Sequence, residues 1–145
     1  MLKTVFDTTI LVSAFLRPNP GGASFDLLRF AHAGTVDLYL STEILEETAD
    51  VLLNRKHLRR RYAYADADVI TFCQELARLG TVVGDLPQVS VVRDPNDDMI
   101  IATAVVAGAD YLVTRDDDLL SLKTHGNINI LTPEEFLRIV RQQIP

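Results

Sequence analysis

The sequence has no tryptophan, one cysteine and three histidines. A lone Cys73 excludes an internal disulfide, so stability must come from a hydrophobic core, and the chain suits a reducing compartment. Cys73 sits among Val69, Ile70, Phe72 and Leu76 in a helical pattern, which reads as a small core residue rather than a nucleophile. His32, His57 and His125 lack the spacing of a zinc site. No stretch reaches the ~18 apolar residues of a membrane span, and the apolar run at the start is too short for a signal peptide. The expectation is a cytoplasmic protein with no membrane attachment. Net positive charge is also missing. A formal charge of −6 argues against whole-surface binding of nucleic acid or anionic lipid, though not against a local basic patch. Phosphate-handling loops of the Gly-x-x-x-x-Gly-Lys kind are absent. So is the Asp-x-Asp-x-Thr phosphatase motif, because Asp7 is followed by Thr8-Thr9, and so is the acid pair plus lysine of a phospho-accepting receiver.

What is present is an ordinary globular composition, 48% hydrophobic and 23% charged, over 145 residues. That length predicts one domain, residues 1–145, with its own core. Thr4 to Asp7 reads as a short buried strand ending in an acid, and Thr8 to Leu16 as a first helix. The Arg17-Pro-Asn-Pro-Gly-Gly loop leads to a helical pattern from Ala23 to Ala33, with Gly34 as its stop. Val36 to Leu40 is a second strand. Ser41 caps a helix to about Leu53, with an apolar stripe of Ile44, Leu45, Val51 and Leu52. Glu47 lies nearest that stripe's edge, while Glu43 and Glu46 point towards solvent. Asp66 is expected to cap a helix from Ala67 to Leu79. Thr81 to Val83 and Val89 to Val92 are candidate strands, followed by an apolar helix from Met99 to Ala107 and strands at Tyr111 to Thr114 and Ile128 to Leu131. Thr132-Pro133-Glu134-Glu135 is a capping box that opens a last helix to about Arg141. Short apolar strands alternating with helices predict an α/β fold, an α/β/α sandwich with a central mostly parallel sheet.

The distribution of aspartate organises the functional reading. Two clusters, Asp94/Asp97/Asp98 and Asp116/Asp117/Asp118, bracket the central helix and its strand. Capping accounts for one acid in each, since Asp94-Pro95 is a good helix start. It accounts less well for the rest. Ligands of parallel sheets gather beyond the carboxyl ends of the strands. Asp7 and Asp116 follow their strands directly, Asp94 and Asp97 follow the candidate strand at Val89 to Val92, and Glu47 lies about a turn past the second. Carboxylates gathered there repel one another unless a cation neutralises them. Mg²⁺ or Mn²⁺ suits oxygen-only donors and the hydrolysis of phosphodiesters.

These residues resemble a known family. Val5-Phe-Asp7-Thr-Thr-Ile-Leu-Val-Ser-Ala, Ser41-Thr-Glu-Ile-Leu-Glu-Glu47, Asp94-Pro-Asn-Asp97-Asp-Met-Ile-Ile-Ala-Thr-Ala and Val113-Thr-Arg-Asp116-Asp-Asp-Leu-Leu look like the four sequence blocks of PIN domains. The nearest likeness is to the toxins of bacterial toxin–antitoxin systems, relatives of VapC-type proteins. The resemblance implies a Mg²⁺- or Mn²⁺-dependent endoribonuclease acting on single-stranded RNA, with a small antitoxin protein as partner and a homodimer as a further expectation. It implies Asp7, Glu47, Asp97 and Asp116 as the catalytic and metal-holding acids, with Asp94, Asp98 and Asp118 as further candidates. Thr9, where the family often has Asn or Ser, and Thr114 are implied as supporting hydroxyls. The competing reading is an inactive PIN-like module that docks RNA or protein.

One charge run stands apart. Arg55, Lys56, Arg59, Arg60 and Arg61 crowd into seven positions, with Tyr62 and Tyr64 beside them. They are candidates for guiding RNA to the acidic site, by phosphate contact and base stacking. The alternative is a solvated loop.

Overall fold

The computed structural model describes residues 2–144. Its order is β1 (Leu2–Phe6), α1 (Thr8–Leu16), α2 (Ala23–His32), β2 (Val36–Ser41), α3 (Thr42–Asn54), α4 (Lys56–Arg61), α5 (Asp66–Leu79), β3 (Thr81–Val83), α6 (Pro95–Ala107), β4 (Tyr111–Val113), α7 (Asp117–Leu120), β5 (Thr124–His125), β6 (Ile128–Leu131) and α8 (Pro133–Gln142). The sheet order is β3-β2-β1-β4-β6-β5. All neighbours pair in parallel except β5, which runs antiparallel to β6. This is the expected α/β architecture around a mostly parallel sheet.

The strand order carries the first functional consequence. From β1 the chain steps outwards to β2 and β3, then returns through α6 to β4 on the other side of β1. The direction of winding reverses between β1 and β4, and right-handed crossovers then put α1 and α6 on opposite faces. A crevice opens beyond the carboxyl ends of these two strands.

The elements follow from local chemistry. Asp7, Ser41, Asp94 and Thr132 each supply a side-chain oxygen to a free N–H at the start of a helix. In α6, Gly108 closes the last turn in the left-handed conformation at φ 62°. That helix is buried on most sides, through Ile100, Ile101, Ala102, Thr103, Ala104 and Ala107, which is why its sequence is apolar all round. The Thr103 hydroxyl bonds Ser41 Oγ at 2.9 Å and ties α6 to the end of β2. Both arms of the Thr132/Glu135 capping box close. Phe136, Leu137 and Val140 of α8 are buried, so the apolar face of that helix is core and offers no free docking surface.

Four expectations change. Val89 to Val92 forms no strand, because the Val91 and Val92 N–H groups donate to Asp98 Oδ1 at 2.8 and 2.9 Å and are lost to any ladder. Asp94 and Asp97 therefore follow a loop, not a strand. The basic stretch is helical rather than a loop, packed against α3. In α5 the cap is Ala65, whose N–H bonds Asp68 Oδ2 at 2.8 Å, and Asp66 is the first helical residue. Cys73 is half-buried rather than in the core, and burial pushes its thiol pKa up, away from a reactive thiolate.

Gly80 permits a close approach. A Cβ there would stand 2.9 Å from the Leu38 carbonyl oxygen and 2.8 Å from Leu40 Cδ1. The first of these is backbone of β2 and cannot swing aside. Gly80→Ala is expected to destabilise the fold by about 1–3 kcal/mol, the usual cost of overpacking, measurable by chemical denaturation.

Candidate metal centre

Asp7 leaves β1 at the crevice, and its N–H bonds the Val113 carbonyl at 3.0 Å, locking the end of β1 to β4. Its carboxylate is buried, at 4% exposure. Oδ1 accepts from both the N–H and the hydroxyl of Thr9, and Oδ2 accepts from the Thr114 hydroxyl. Thr114 in turn accepts from the Asp116 N–H at 3.0 Å. One threonine thus fixes the acids of two neighbouring strands relative to each other.

Asp116 caps the short α7, its Oδ1 taking the Asp118 N–H at 2.9 Å. Asp97 lies in the first turn of α6 and is buried. Carboxylate oxygens of Asp97, Asp116 and Asp118 lie within 4.8 Å of one another. Glu47 reaches the same region from α3, which packs on α1, and it feels the charges of Asp7 and Asp94.

The electrostatics show how uncomfortable this gathering is. Burial, then the hydrogen bond to Asp116 and the charges of Asp116, Asp94 and Asp7, push the Asp97 pKa up to about 7. Asp7 is pushed up by burial, against the pull of its threonine bonds. Glu47 is raised too, chiefly by burial, with Arg55 only partly offsetting the negative neighbours. The Thr8 hydroxyl is near enough to favour the charged Glu47, yet no hydrogen bond closes between them. Among the described residues, Glu47 Oε2 and Thr8 Oγ1 are both buried without a partner, a costly condition for polar atoms.

Among the described residues, cations other than Arg55 bring the site little relief. Arg115, flanked by Thr114 and Asp116 in sequence, is held away by a two-point contact with Glu134 at 2.6 and 3.0 Å. Arg93 reaches Asp118 only at 3.9 Å, with its side chain 93% exposed, where an ion pair contributes little. An orphaned buried carboxylate oxygen and an all-oxygen donor set fit a hard divalent cation.

A family model described as PIN domain matches residues 3–118. The chain belongs to the PIN domain family. PIN domains are generally metal-dependent nucleases, and they bind divalent metals. The uncharacterized protein MJ1680 of Methanocaldococcus jannaschii is 25% identical over 144 residues, covering 94% of this chain and 90% of that protein. The crystal structure of PAE2754 from Pyrobaculum aerophilum superposes with a TM-score of 0.63 at 18% identity, covering 98% of this chain and 91% of that one; this likeness speaks to the fold.

Within this PIN domain the remaining candidates separate by partner. Asp98 turns from the cluster to brace the 91–92 backbone. Asp94 serves as the α6 cap through the Asn96 N–H at 2.9 Å, with its charge still felt by Glu47 and Asp97. Of the basic stretch, Arg59 is committed to the fold. It pairs with Asp66 at 2.8 Å, stacks over Tyr64 and donates to the Leu52 carbonyl. Tyr64 is likewise engaged, its hydroxyl on Leu52 O at 2.6 Å and its ring edge-on to Phe15. Arg55, Lys56, Arg60 and Arg61 remain exposed, with Arg61 lying over the Tyr62 ring.

The sequence did not point to Thr8, Arg17 and Arg115, which line a cleft that also contains Glu47. Thr8 could have been found from its place on α1, on the face shared by Val12 and Leu16 one and two turns on. Nothing local marks Arg17 or Arg115, since their surroundings come from α3, α4 and α8.

Proposed function

We propose that this PIN domain is a Mg²⁺- or Mn²⁺-dependent endoribonuclease that cuts single-stranded RNA, acting in the cytoplasm as the toxin of a toxin–antitoxin pair. The observation that supports the nuclease reading is the gathering of acids beyond the ends of β1 and β4, where burial, Asp116, Asp94 and Asp7 push the Asp97 pKa up to about 7. Asp97, Asp116 and Asp118 present the closest set of oxygens, and Asp7 and Glu47 extend it. When bound, the cation supplies charge neutralisation and water activation for in-line displacement at phosphorus. Thr9 and Thr114 hold Asp7 in one orientation, so the acids need little reorganisation. Resemblance to VapC-type toxins supports the antitoxin partner and the homodimer.

The test uses an end-labelled single-stranded RNA, the same RNA in a duplex, and a panel of small phosphate esters. Cleavage of the single strand in millimolar Mn²⁺ or Mg²⁺, stopped by chelator, is expected, with the duplex and the esters spared. RNA binding without cleavage would instead identify an inactive binding module.

The solvent-facing cations of α4 and its N-terminal flank support a guiding role in this reading, because a protein of net charge −6 repels a polyanion. Changing Lys56, Arg60 and Arg61 together to Ala is expected to weaken RNA binding and to flatten the log–log salt slope by about 2, at about 0.7 per lost contact on a single strand. Manganese affinity should be unmoved, since none of the three touches the acids. Coincident slopes for the wild type and the triple variant would assign RNA entry to another face.

A further inference from the structure

A second concavity adjoins the acids. It is a cleft of about 320 Å³ between α1 and α3, bounded by α4. Val12, Leu16, Val51 and Leu58 line it with apolar surface, and Arg17, Arg55 and Arg115 bring positive charge to it. Thr8 and Glu47 belong both to this cleft and to the acidic centre, so the two are continuous. Thr8 is 5% exposed, its hydroxyl buried beside Glu47 at the wall between cleft and acids. The size sits at the low end of the range for small-ligand sites, about 300–1,000 Å³.

We propose that this cleft is a nucleotide subsite: it takes one unpaired nucleotide next to the cleavage point, with the base against the apolar walls and the phosphate on Arg17. The proposal rests on the nuclease reading and adds to it a reason for selecting single strands. A base in a duplex is stacked and paired and cannot turn into a cleft between two helices, whereas an unpaired one can. Charge sorts the occupants. Arg115 is neutralised by Glu134, and Arg55 faces Glu47. Arg17 gives its Nε to the Tyr62 hydroxyl, at 3.3 Å, and meets no carboxylate among the described residues, which leaves its charge to an anion. An apolar slot with a cation that has no carboxylate partner among the described residues, joined to a phosphodiester-cleaving centre, matches a nucleotide of the strand being cut better than an acidic peptide.

The experiment is an abasic scan. Single-stranded RNAs, each lacking one base at a successive position around the cut, are cleaved in Mn²⁺ by the wild type, Arg17→Ala and Ser13→Trp, the last placing an indole in the cleft. For the wild type, removal of one base adjoining the cut is expected to raise KM about tenfold, and other positions little. Arg17→Ala should raise KM about tenfold on the intact RNA with a much smaller change in kcat, because Arg17 does not touch the acids. Ser13→Trp should raise KM likewise and abolish the dependence on that base, while the Mn²⁺-induced rise in Tm persists. Wild-type cleavage with an even abasic profile and unchanged KM in Arg17→Ala would overturn the subsite and leave the nuclease reading standing. Inhibition of the wild type, but not of Ser13→Trp, by poly-glutamate in the face of such an even profile would give the cleft to a protein partner and also overturn it. No metal-dependent cleavage by the wild type would remove the nuclease reading, and the subsite with it.

Discussion

Asp116→Asn is expected to lower metal-dependent kcat/KM at least about a hundredfold, beyond the range usual for losing an outer partner of a metal ligand, while the protein stays folded. Asp116 contributes to the closest trio of oxygens at the site, with Asp97 and Asp118. The amide keeps the shape and one oxygen, so it still accepts the Asp118 N–H and caps α7. What it loses is the charge that a cation needs and the charge that burdens Asp97. The hydrogen bond and the Coulomb repulsion from Asp116 are the largest causes, after burial, of the raised Asp97 pKa. In the variant that pKa should drop, and the metal-free protein should become more stable at neutral pH because the neighbouring charge that raises Asp97 is gone. Three measurements check this: cleavage rate, Mn²⁺ affinity by calorimetry, and Tm in chelator. Full activity in Asp116→Asn would remove that residue from the centre. A collapse of the fold without gain or loss specific to metal would reduce it to a cap.

The metal-free protein should lose stability as pH rises from about 4 to 7, and Mn²⁺ should reverse the loss. Asp97 titrates at about 7 in the folded chain against 3.8 for the free group. Below 3.8 it is protonated folded or unfolded. Between the two values the unfolded chain releases a proton that the native state keeps, so native stability falls with rising pH until Asp97 also ionises in the fold. Asp7 and Glu47 are shifted in the same direction and add to the same slope. A cation requires the ionised acids, so its binding releases protons and strengthens as pH rises. At a thousandfold excess over Kd a ligand specific for the native state adds about 4 kcal/mol, which corresponds to roughly 10 °C in Tm for a domain of this size. The expected result is a large Mn²⁺-induced rise in Tm at pH 7.5 and a small one at pH 5, both removed by chelator. Asp97→Asn should flatten the metal-free pH dependence. A Tm indifferent to millimolar Mn²⁺ at pH 7.5 would count against the centre as a whole.

Much of the architecture was legible in the chain because it is local. Strands Val36–Ser41 and Ile128–Leu131 are short apolar runs, and helices announce themselves by caps at Ser41, Asp94 and Thr132, each a hydrogen bond spanning only two or three residues. Alternation of strand and helix was enough for a parallel sheet, and a parallel sheet for the edge at which acids gather. What escaped was short or depended on a distant partner. The β5–β6 hairpin is closed by a strand of two residues, too few for any periodicity. Val89 to Val92 has the composition of a strand, yet its N–H groups were taken by Asp98, and that competition exists only once α6 is in place.

The choice among adjacent acids and arginines shows the same division. The clustering of aspartates at the ends of apolar elements pointed to an acid-rich site. Asp97 and Asp98 are neighbours of identical type, separated by about 100° around a helix. Only the packing of α6 against the sheet decides that one is buried among acids and the other faces a loop. Arg59 and Arg60 look alike in the chain, but the start of α5 brings Asp66, and the segment before it Tyr64, to the first. Arg115 lies beside Asp116 in sequence, yet Glu134 at the start of α8 holds its guanidinium elsewhere. A side chain's charge is a property of the sequence, whereas the field around it is summed over groups that only the tertiary fold brings within a few ångströms.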